Sequence, residues 1–314
     1  MSQTILKRKL ANNQTGIAVV SAMLLAALVV SIATTIIFNQ QRYINRLDNH
    51  FSATQARWMA EASIHWSRAI LAEDAKGGKV DHYKENWAIQ LPVTPFEGGT
   101  IRGFITDEQQ FCNMNNVILT SVSNNDSNAF FKRLMASLNI NVGTLDALID
   151  WIDVDSNITY PYGAEDAYYL TQPIPYRIAN QPLTEIGNLS RVQGFNGENI
   201  ASLKQYCVVL PEKTTTNINT VSSELLALML PDLSEFDVQT IIAARNAHPI
   251  ESIAEINKQL EQKKIILSED EFSVGSRFFL VTSQTQFGKS TIKLEALLKR
   301  DEEGWPQLIW KRYR

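Results

Sequence analysis

The chain has 314 residues, of which 45% are hydrophobic and 20% charged. That is enough apolar material for one large core or two ordinary ones, and it excludes a disordered or low-complexity chain. A formal net charge of −4 gives no global pull toward nucleic acid, and two cysteines with four scattered histidines cannot build a Cys-only zinc site or a disulfide-dense scaffold.

Residues 1–16 hold Lys7, Arg8 and Lys9 and no acid, and the next stretch, GIAVVSAMLLAALVVSIATTIIF, runs 23 residues without a charge. Such a run spans about 30 Å of hydrocarbon at about 1.5 Å per residue. The basic flank predicts a cytoplasmic N-terminus, with everything after Arg42 on the outer side of the membrane. A cleaved secretory signal is the plain alternative, but no A-x-A site closes the run.

No Pro or Gly occurs between Ile17 and Lys76. Ile44, Leu47, Phe51, Trp58, Ala62, His65/Trp66 and Ala69/Ile70 recur at helical spacing beyond the apolar run, with charged residues between them. One continuous helix is predicted over residues 17–74, apolar all round at first and amphipathic afterwards, about 87 Å long. Gly77-Gly78 stops it.

Trp87–Leu91, a turn carrying Pro95 and Gly98-Gly99, and TIRGFITDE read as a β-hairpin. SRFFLVTSQ, TIKLEALLKRD and PQLIWKRY read as three strands at the far end, with EEGW as the last hairpin loop. About 150 residues of largely helical pattern lie between these groups, so an insertion within one small sheet explains the order better than two sequential domains. Within that block, NINTVSSELLALML, followed by a turn LPDLSEF, resembles the helix-hairpin-helix pieces of DNA-binding modules. Its turn has two acids and no glycine, so nucleic-acid binding is not expected.

ALIDWIDVDSN gathers Asp150, Asp153 and Asp155 near the expected end of a helix, where like charges repel one another and the helix terminus. Asp153-x-Asp155-x-Asn157 has the start of a calcium loop, and Glu165-Asp166 follow ten residues on. It is not an EF-hand: the sixth position is Ile158 and the twelfth Ala164. All-oxygen ligands favour Ca²⁺ over zinc or iron, with Asp153, Asp155, Asn157, Glu165 and Asp166 as the candidate set. A solvated acidic turn is the plain alternative. A catalytic carboxylate pair is not expected, because five clustered oxygen ligands suit an ion better than an acid/base pair. G-x-S-x-G, H-E-x-x-H and P-loop motifs are absent, and no enzyme activity is predicted. Cys112 and Cys207, in an oxidising compartment and without metal partners, favour a disulfide over free thiols.

The leader with TGIAVV, GGTIRGFITDEQQFCNMNNV, LIDWIDVDSN followed by YGAEDAYY, YRIANQPLTEIGNLSRVQG, VVLPEKTTTNINT and the terminal ALLKRD…LIWKRY together resemble the general secretion pathway protein K family. These are the large minor pseudopilins of type II secretion systems, and the resemblance covers nearly the whole chain. It implies cleavage by a prepilin peptidase between Gly16 and Ile17, followed by methylation of the new N-terminus. Ile17 departs from the bulkier Phe or Met usual there. It also implies calcium in the helical insert, and as partners the H, I and J minor pseudopilins, the major pseudopilin and the peptidase. Major pseudopilins resemble one another in carrying Glu at the fifth mature position; the residue here is Ser21, which points to the tip of the filament.

The expected fold is α+β and pilin-like: a long N-terminal helix packed on an antiparallel sheet, with a large all-α domain inserted between strands. The expected segments are a leader at 1–16, a membrane-spanning spike at 17–38, the first part of the core at 39–122, the helical insert at 123–274 and the terminal strands at 275–314. The expected function is capping the tip of the periplasmic pseudopilus and initiating its assembly, for export of folded proteins across the outer membrane. The alternatives are a minor pilin of a type IV pilus and a membrane-anchored calcium-dependent binding module.

Overall fold

The computed structural model describes residues 3–117, 128–301 and 305–314, with side chains described from residue 16 onward. Its first element is a single helix, α1 (Gln3–Asp74), of 72 residues. Residues 16–51 of α1 are exposed throughout. The helix closes at the expected place, where the Gly77 N–H donates to the Asp74 carbonyl at 2.8 Å.

Five antiparallel strands form the sheet: β1 (Leu91–Phe96), β2 (Gly99–Asp107), β7 (Phe278–Phe287), β8 (Ser290–Lys299) and β9 (Gln307–Tyr313), in the order β1-β2-β7-β8-β9. The first hairpin turns on Glu97-Gly98, with Gly98 at φ +83°. Pro95 and Gly99, expected in the turn, lie inside β1 and β2. Trp87, expected in the first strand, instead sits in a short 3-10 turn (Asn86–Ala88) that buries it against the sheet. The EEGW loop spans residues 302–305, of which 302–304 lie outside the described residues.

The face of α1 that meets the sheet is not the predicted stripe. Ala56, Ala60, Ser63, Ile64, Ser67 and Leu71 are the buried residues, three or four apart, whereas Phe51, Trp58 and Trp66 are 63%, 65% and 51% exposed. Small side chains let helix and sheet approach closely, and the Ser63 and Ser283 hydroxyls meet at 2.9 Å. Ile64, Leu71, Trp87, Ile105, Phe279, Val281, Leu294, Ala296 and Leu298 complete this core. The aromatic stripe points the opposite way.

The chain between β2 and β7 forms a second, larger core. Its helices are α2 (Ala129–Ser137), α3 (Thr144–Ile152), α4 (Asp166–Tyr169), α5 (Gly197–Leu203), α6 (Ser223–Met229), α7 (Glu235–Ala247) and α8 (Ile253–Leu260). Ser222, Ser234 and Ser252 cap α6, α7 and α8 by accepting a backbone N–H, each satisfying a donor the helix itself leaves unpaired. Two short parallel pairs lace the block: β3 (Cys112–Asn113) with β4 (Cys207–Val208), and β5 (Thr216–Asn217) with β6 (Phe272–Ser273). The first pair carries a Cys112–Cys207 disulfide. The expected boundary at 122/123 lies outside the described residues. Cys112, Met114 and Val117 already belong to the block's core, which therefore starts closer to the end of β2 than residue 123.

A buried polar joint ties block, helix and sheet together. Arg300 donates to Asp74 at 2.7 Å, to Asp81 at 2.5 Å and to the Ser276 carbonyl at 3.0 Å. Asp107, fully buried, accepts from Thr220 at 2.6 Å, Ser276 at 2.8 Å, the Gln109 N–H at 2.8 Å and Asn217 at 3.2 Å. On the sheet's far face, Leu210 of the block packs on Phe278 and Leu297.

Candidate metal centre

The acid cluster is built at the C-terminal end of α3 and on the long irregular segment that follows. TLDALIDWI is amphipathic at helical spacing and nearly all of it is buried, which carries Asp150 into the interior with 0% exposure. Asp153 is the residue that ends the helix. The chain then loops through 154–165, and Glu165, 5% exposed, enters α4. Trp151, next to Asp150 in the chain, packs on Tyr169, and Tyr169 on Tyr176, with ring centroids 5.2 and 5.3 Å apart.

Four buried oxygens here have no hydrogen-bond partner: Asp150 Oδ2, Asp153 Oδ1, Glu165 Oε1 and Asn180 Oδ1. A buried carboxylate oxygen without a donor costs several kcal/mol unless something neutralises it. The groups also feel one another. Burial pushes Glu165 up to about 7, with Asp150, Asp153 and Asp155 adding repulsion. Burial pushes Asp153 up to about 6, followed by the charges of Asp155 and Asp150. The backbone is shaped to leave these oxygens room: a Cβ on Gly163 would sit 2.2 Å from Asp150 Oδ2 and 2.4 Å from the Thr159 carbonyl. Asp150 Oδ1 meanwhile accepts the Thr159 N–H at 2.9 Å, fixing that carboxylate's orientation.

Of the sequence-predicted ligands, Asp153, Asp155 and Glu165 gather in this cluster. Asp155 Oδ1 accepts the Asn157 N–H at 2.7 Å, so Asn157 joins it through its backbone. Asp166 faces elsewhere, accepting the Ile178 N–H at 3.0 Å with Arg177 3.8 Å away. Asp150, part of the acid run but outside the expected ligand set, is the most deeply placed member. Asn180 was not foreseen: its Nδ2 donates to the Asp155 carbonyl at 3.2 Å while its Oδ1 stays free. Its one sequence signal is an isolated Asn, which tolerates the φ of +44° found there. The arrangement offers hard, buried oxygen donors that lack hydrogen-bond partners, which suits Ca²⁺ chemistry.

Among the described residues, the acid trio whose oxygens all lie within 4.8 Å of one another is a different one, Asp74, Asp81 and Glu85. The Arg300 guanidinium already holds Asp74 and Asp81, and Glu85 accepts the Trp87 indole N–H at 2.7 Å, so this trio is an ionic joint rather than an ion site.

The expected processing and assembly residues lie on α1. Gly16, Ile17 and Ser21 are exposed on its apolar part, and no atom lies within 4 Å of where a Gly16 Cβ would be. The helix from Gly16 is long and apolar enough to cross a membrane, with mean hydropathy 2.6 in its best window and none of that window buried.

Comparison with known proteins fits this architecture. Residues 111–212 and 216–275, which are the helical block, match two family models, both described as type II secretion system (T2SS), protein K. The chain is 30% identical over 304 residues to the type II secretion system protein K of Pseudomonas aeruginosa, covering 93% of this chain and 90% of that one. It is 28% identical over 314 residues to the protein K of Aeromonas hydrophila, covering 92% and 94%. A chain from the crystal structure of the GspK–GspI–GspJ complex of the enterotoxigenic Escherichia coli type 2 secretion system superposes with a TM-score of 0.71 at 21% identity, over 88% of this chain and 99% of that one.

Proposed function

This chain belongs to the type II secretion system protein K family, and we propose that it is a minor pseudopilin that caps the periplasmic pseudopilus and initiates its assembly. The observation that carries the reading is the two-faced helix α1. Its small-residue face is used by its own sheet, while its apolar run and its Phe51–Trp58–Trp66 stripe are left for neighbours. The solved structure it resembles is a complex of GspK with GspI and GspJ, and proteins of those types are the partners we assign to the stripe. The H-type minor pseudopilin and the major pseudopilin complete the filament.

Prepilin peptidase removes residues 1–16 and the new Ile17 N-terminus is methylated. Loss of the three leader cations leaves 26 basic against 33 acidic residues, a mature net charge of −7. Before assembly α1 anchors the protein in the inner membrane, with the globular part in the periplasm. Ser21 supports the tip position. In a bundle of apolar helices, a Glu at this depth needs the N-terminal amine of the subunit ahead, and an unpaired charge there costs several kcal/mol. A tip subunit has no amine ahead of it, and a serine can bond back to its own helix. The helical block on the end of the spike leaves little room for another globule above.

Calcium is the second part of the proposal. Asp150, Asp153, Glu165 and Asn180 would hold the ion through the oxygens that lack donors, with Asp155 beside them. The ion would neutralise the cluster and tie the end of α3 to the segment around residue 180.

Mass spectrometry of the membrane-extracted protein tests the processing step: residues 1–16 should be missing and Ile17 methylated, and an intact Met1 would refute it. Labelled copies should appear once per pseudopilus at its membrane-distal end, and Ser21→Glu should not improve incorporation. Labels spaced along the shaft would refute the tip position.

A further inference from the structure

The face of the sheet turned away from α1 carries a charge pattern that neither assembly nor ion binding uses. Side chains alternate along a strand, so with Ser283 and Leu294 turned to α1, Gln284 and Lys293 point to the open side. Pairing places Arg102 of β2 beside Gln284 of β7, and Gln284 beside Lys293 of β8. Lys293 in turn exchanges backbone hydrogen bonds with Arg314, at 2.9 and 3.2 Å. Three cations and an amide therefore stand in one row, about 4.8 Å from strand to strand. The neighbouring row holds Phe104, Thr282, Glu295 and Arg312.

Glu295 is the single acidic side chain in the two rows, 2.9 Å from Arg314 and 4.0 Å from Arg312, and Arg312 also meets Glu185 of the helical block at 3.4 Å. Arg102 is bonded to a neutral amide, Gln284 Oε1, at 2.7 Å. Among the described residues no carboxylate pairs with Arg102 or Lys293. The end of the same face nearest the helical block is balanced, since Lys299 and Arg277 meet Glu212 at 2.9 and 2.8 Å. Positive charge thus collects at the exposed end, in a chain whose formal net charge is −4. Arg102, Phe104, Lys293 and Arg314 are all exposed and border a shallow groove of about 750 Å³.

We propose that this open sheet face is a docking surface for an extended acidic segment of a partner protein. Guanidinium forks match carboxylates in two-point geometry, and the lysine adds a mobile point charge. Acids two apart on one side of an extended segment are about 6.8 Å apart. Flexible Arg and Lys side chains on strands about 4.8 Å apart reach that spacing. Gln284 and Thr282 offer uncharged donors and acceptors to the segment's backbone, and Phe104 offers an apolar contact. A phosphate-bearing ligand fits less well. The row presents side chains only, and the N–H groups of these inner strands are taken by the sheet ladder, so no nest of free N–H groups faces the groove.

The test is fluorescence anisotropy of a labelled, alternating Glu-Thr octapeptide with the full chain in detergent. Saturable binding is expected that weakens with added salt. Arg102→Glu with Lys293→Glu should weaken it about tenfold or more, and Lys258→Glu on α8 should leave it unchanged. Should the double reversal fail to fold, Arg102→Gln with Lys293→Gln provides the same comparison. Equal binding of a Gln-Thr peptide, binding indifferent to the sheet variants, or capture of lipopolysaccharide micelles but not of the peptide would each overturn the proposal.

Discussion

In the proposed calcium site, Asp150, Asp153 and Glu165 would decide how the helical block answers to calcium and to pH. At a hundredfold excess over Kd a single bound ion would stabilise the folded chain by about 2.7 kcal/mol. Calcium should raise the melting temperature by a corresponding amount, and Asp153→Ala or Glu165→Gln should abolish the increment; an unchanged melting curve in excess chelator would reject the site. The pH dependence has a defined sign. With Glu165 at about 7 and Asp153 at about 6, the metal-free fold holds protons that the unfolded chain has already released above pH about 4.5. The contribution of these groups to stability is therefore lost as pH rises from there to about 7. Calcium displaces those protons, so its stabilising increment should be larger at pH 8 than at pH 5, measured by thermal melts with and without chelator. An equal increment at both would argue against carboxylate ligation. Gly163→Ala should cost about 1–3 kcal/mol and reduce the calcium response, because its methyl would meet Asp150 Oδ2. The acid run Asp150-x-x-Asp153-x-Asp155 was legible as a cluster because it is contiguous. Asn180 was not, because only the return of the chain after α4 brings it back to Asp155.

At the scale of elements, α1 shows what periodicity can and cannot tell. Its length and its stop at Gly77 follow from the absence of Pro and Gly. Its inward face did not follow. Two faces recur at helical spacing, one large and aromatic and one small, and hydrophobicity alone favours the large one. Close packing on the sheet selected Ala56, Ala60, Ser63 and Ser67 instead. Ala60→Leu should therefore overpack the interface and cost about 1–3 kcal/mol in denaturant titrations. Trp58→Ala should change stability by no more than about 0.5 kcal/mol and yet weaken co-purification with other minor pseudopilins. Should Trp58→Ala unfold the protein while sparing partner capture, the two faces would have been assigned the wrong way round. The disulfide closes a span of 95 residues. Replacing both cysteines by serine should destabilise the block by about 2–5 kcal/mol.

Across the whole molecule, the α+β architecture was legible because strand patterns bracket a helical pattern, and a chain that leaves a sheet and returns to it has made an insertion. The joint that makes the parts one body was not legible. Asp74, Asp81, Asp107, Asn217, Ser276 and Arg300 are spread over more than two hundred residues, and each alone reads as an ordinary polar residue. Arg300→Ala leaves the buried Asp81 carboxylate without its cation, which typically costs about 3–5 kcal/mol. Hydrogen exchange should then rise together at the end of α1 and in the 272–276 segment. A rise confined to residues beside Arg300 would show that the joint does not couple them.

Because α1 runs without a hinge from its apolar segment to Asp74, it is also the path along which mechanical load must travel. A pull on its membrane end has no proline or glycine after Gly16 at which to be absorbed. It reaches the globule by shear across the Ala56–Leu71 contact, and at the far end through the Arg300 pairs to Asp74 and Asp81. Small side chains in close contact and a buried ionic clamp make a stiff coupling of low compliance. Displacement of the rod by one helical rise is thus handed to the helical block nearly undiminished.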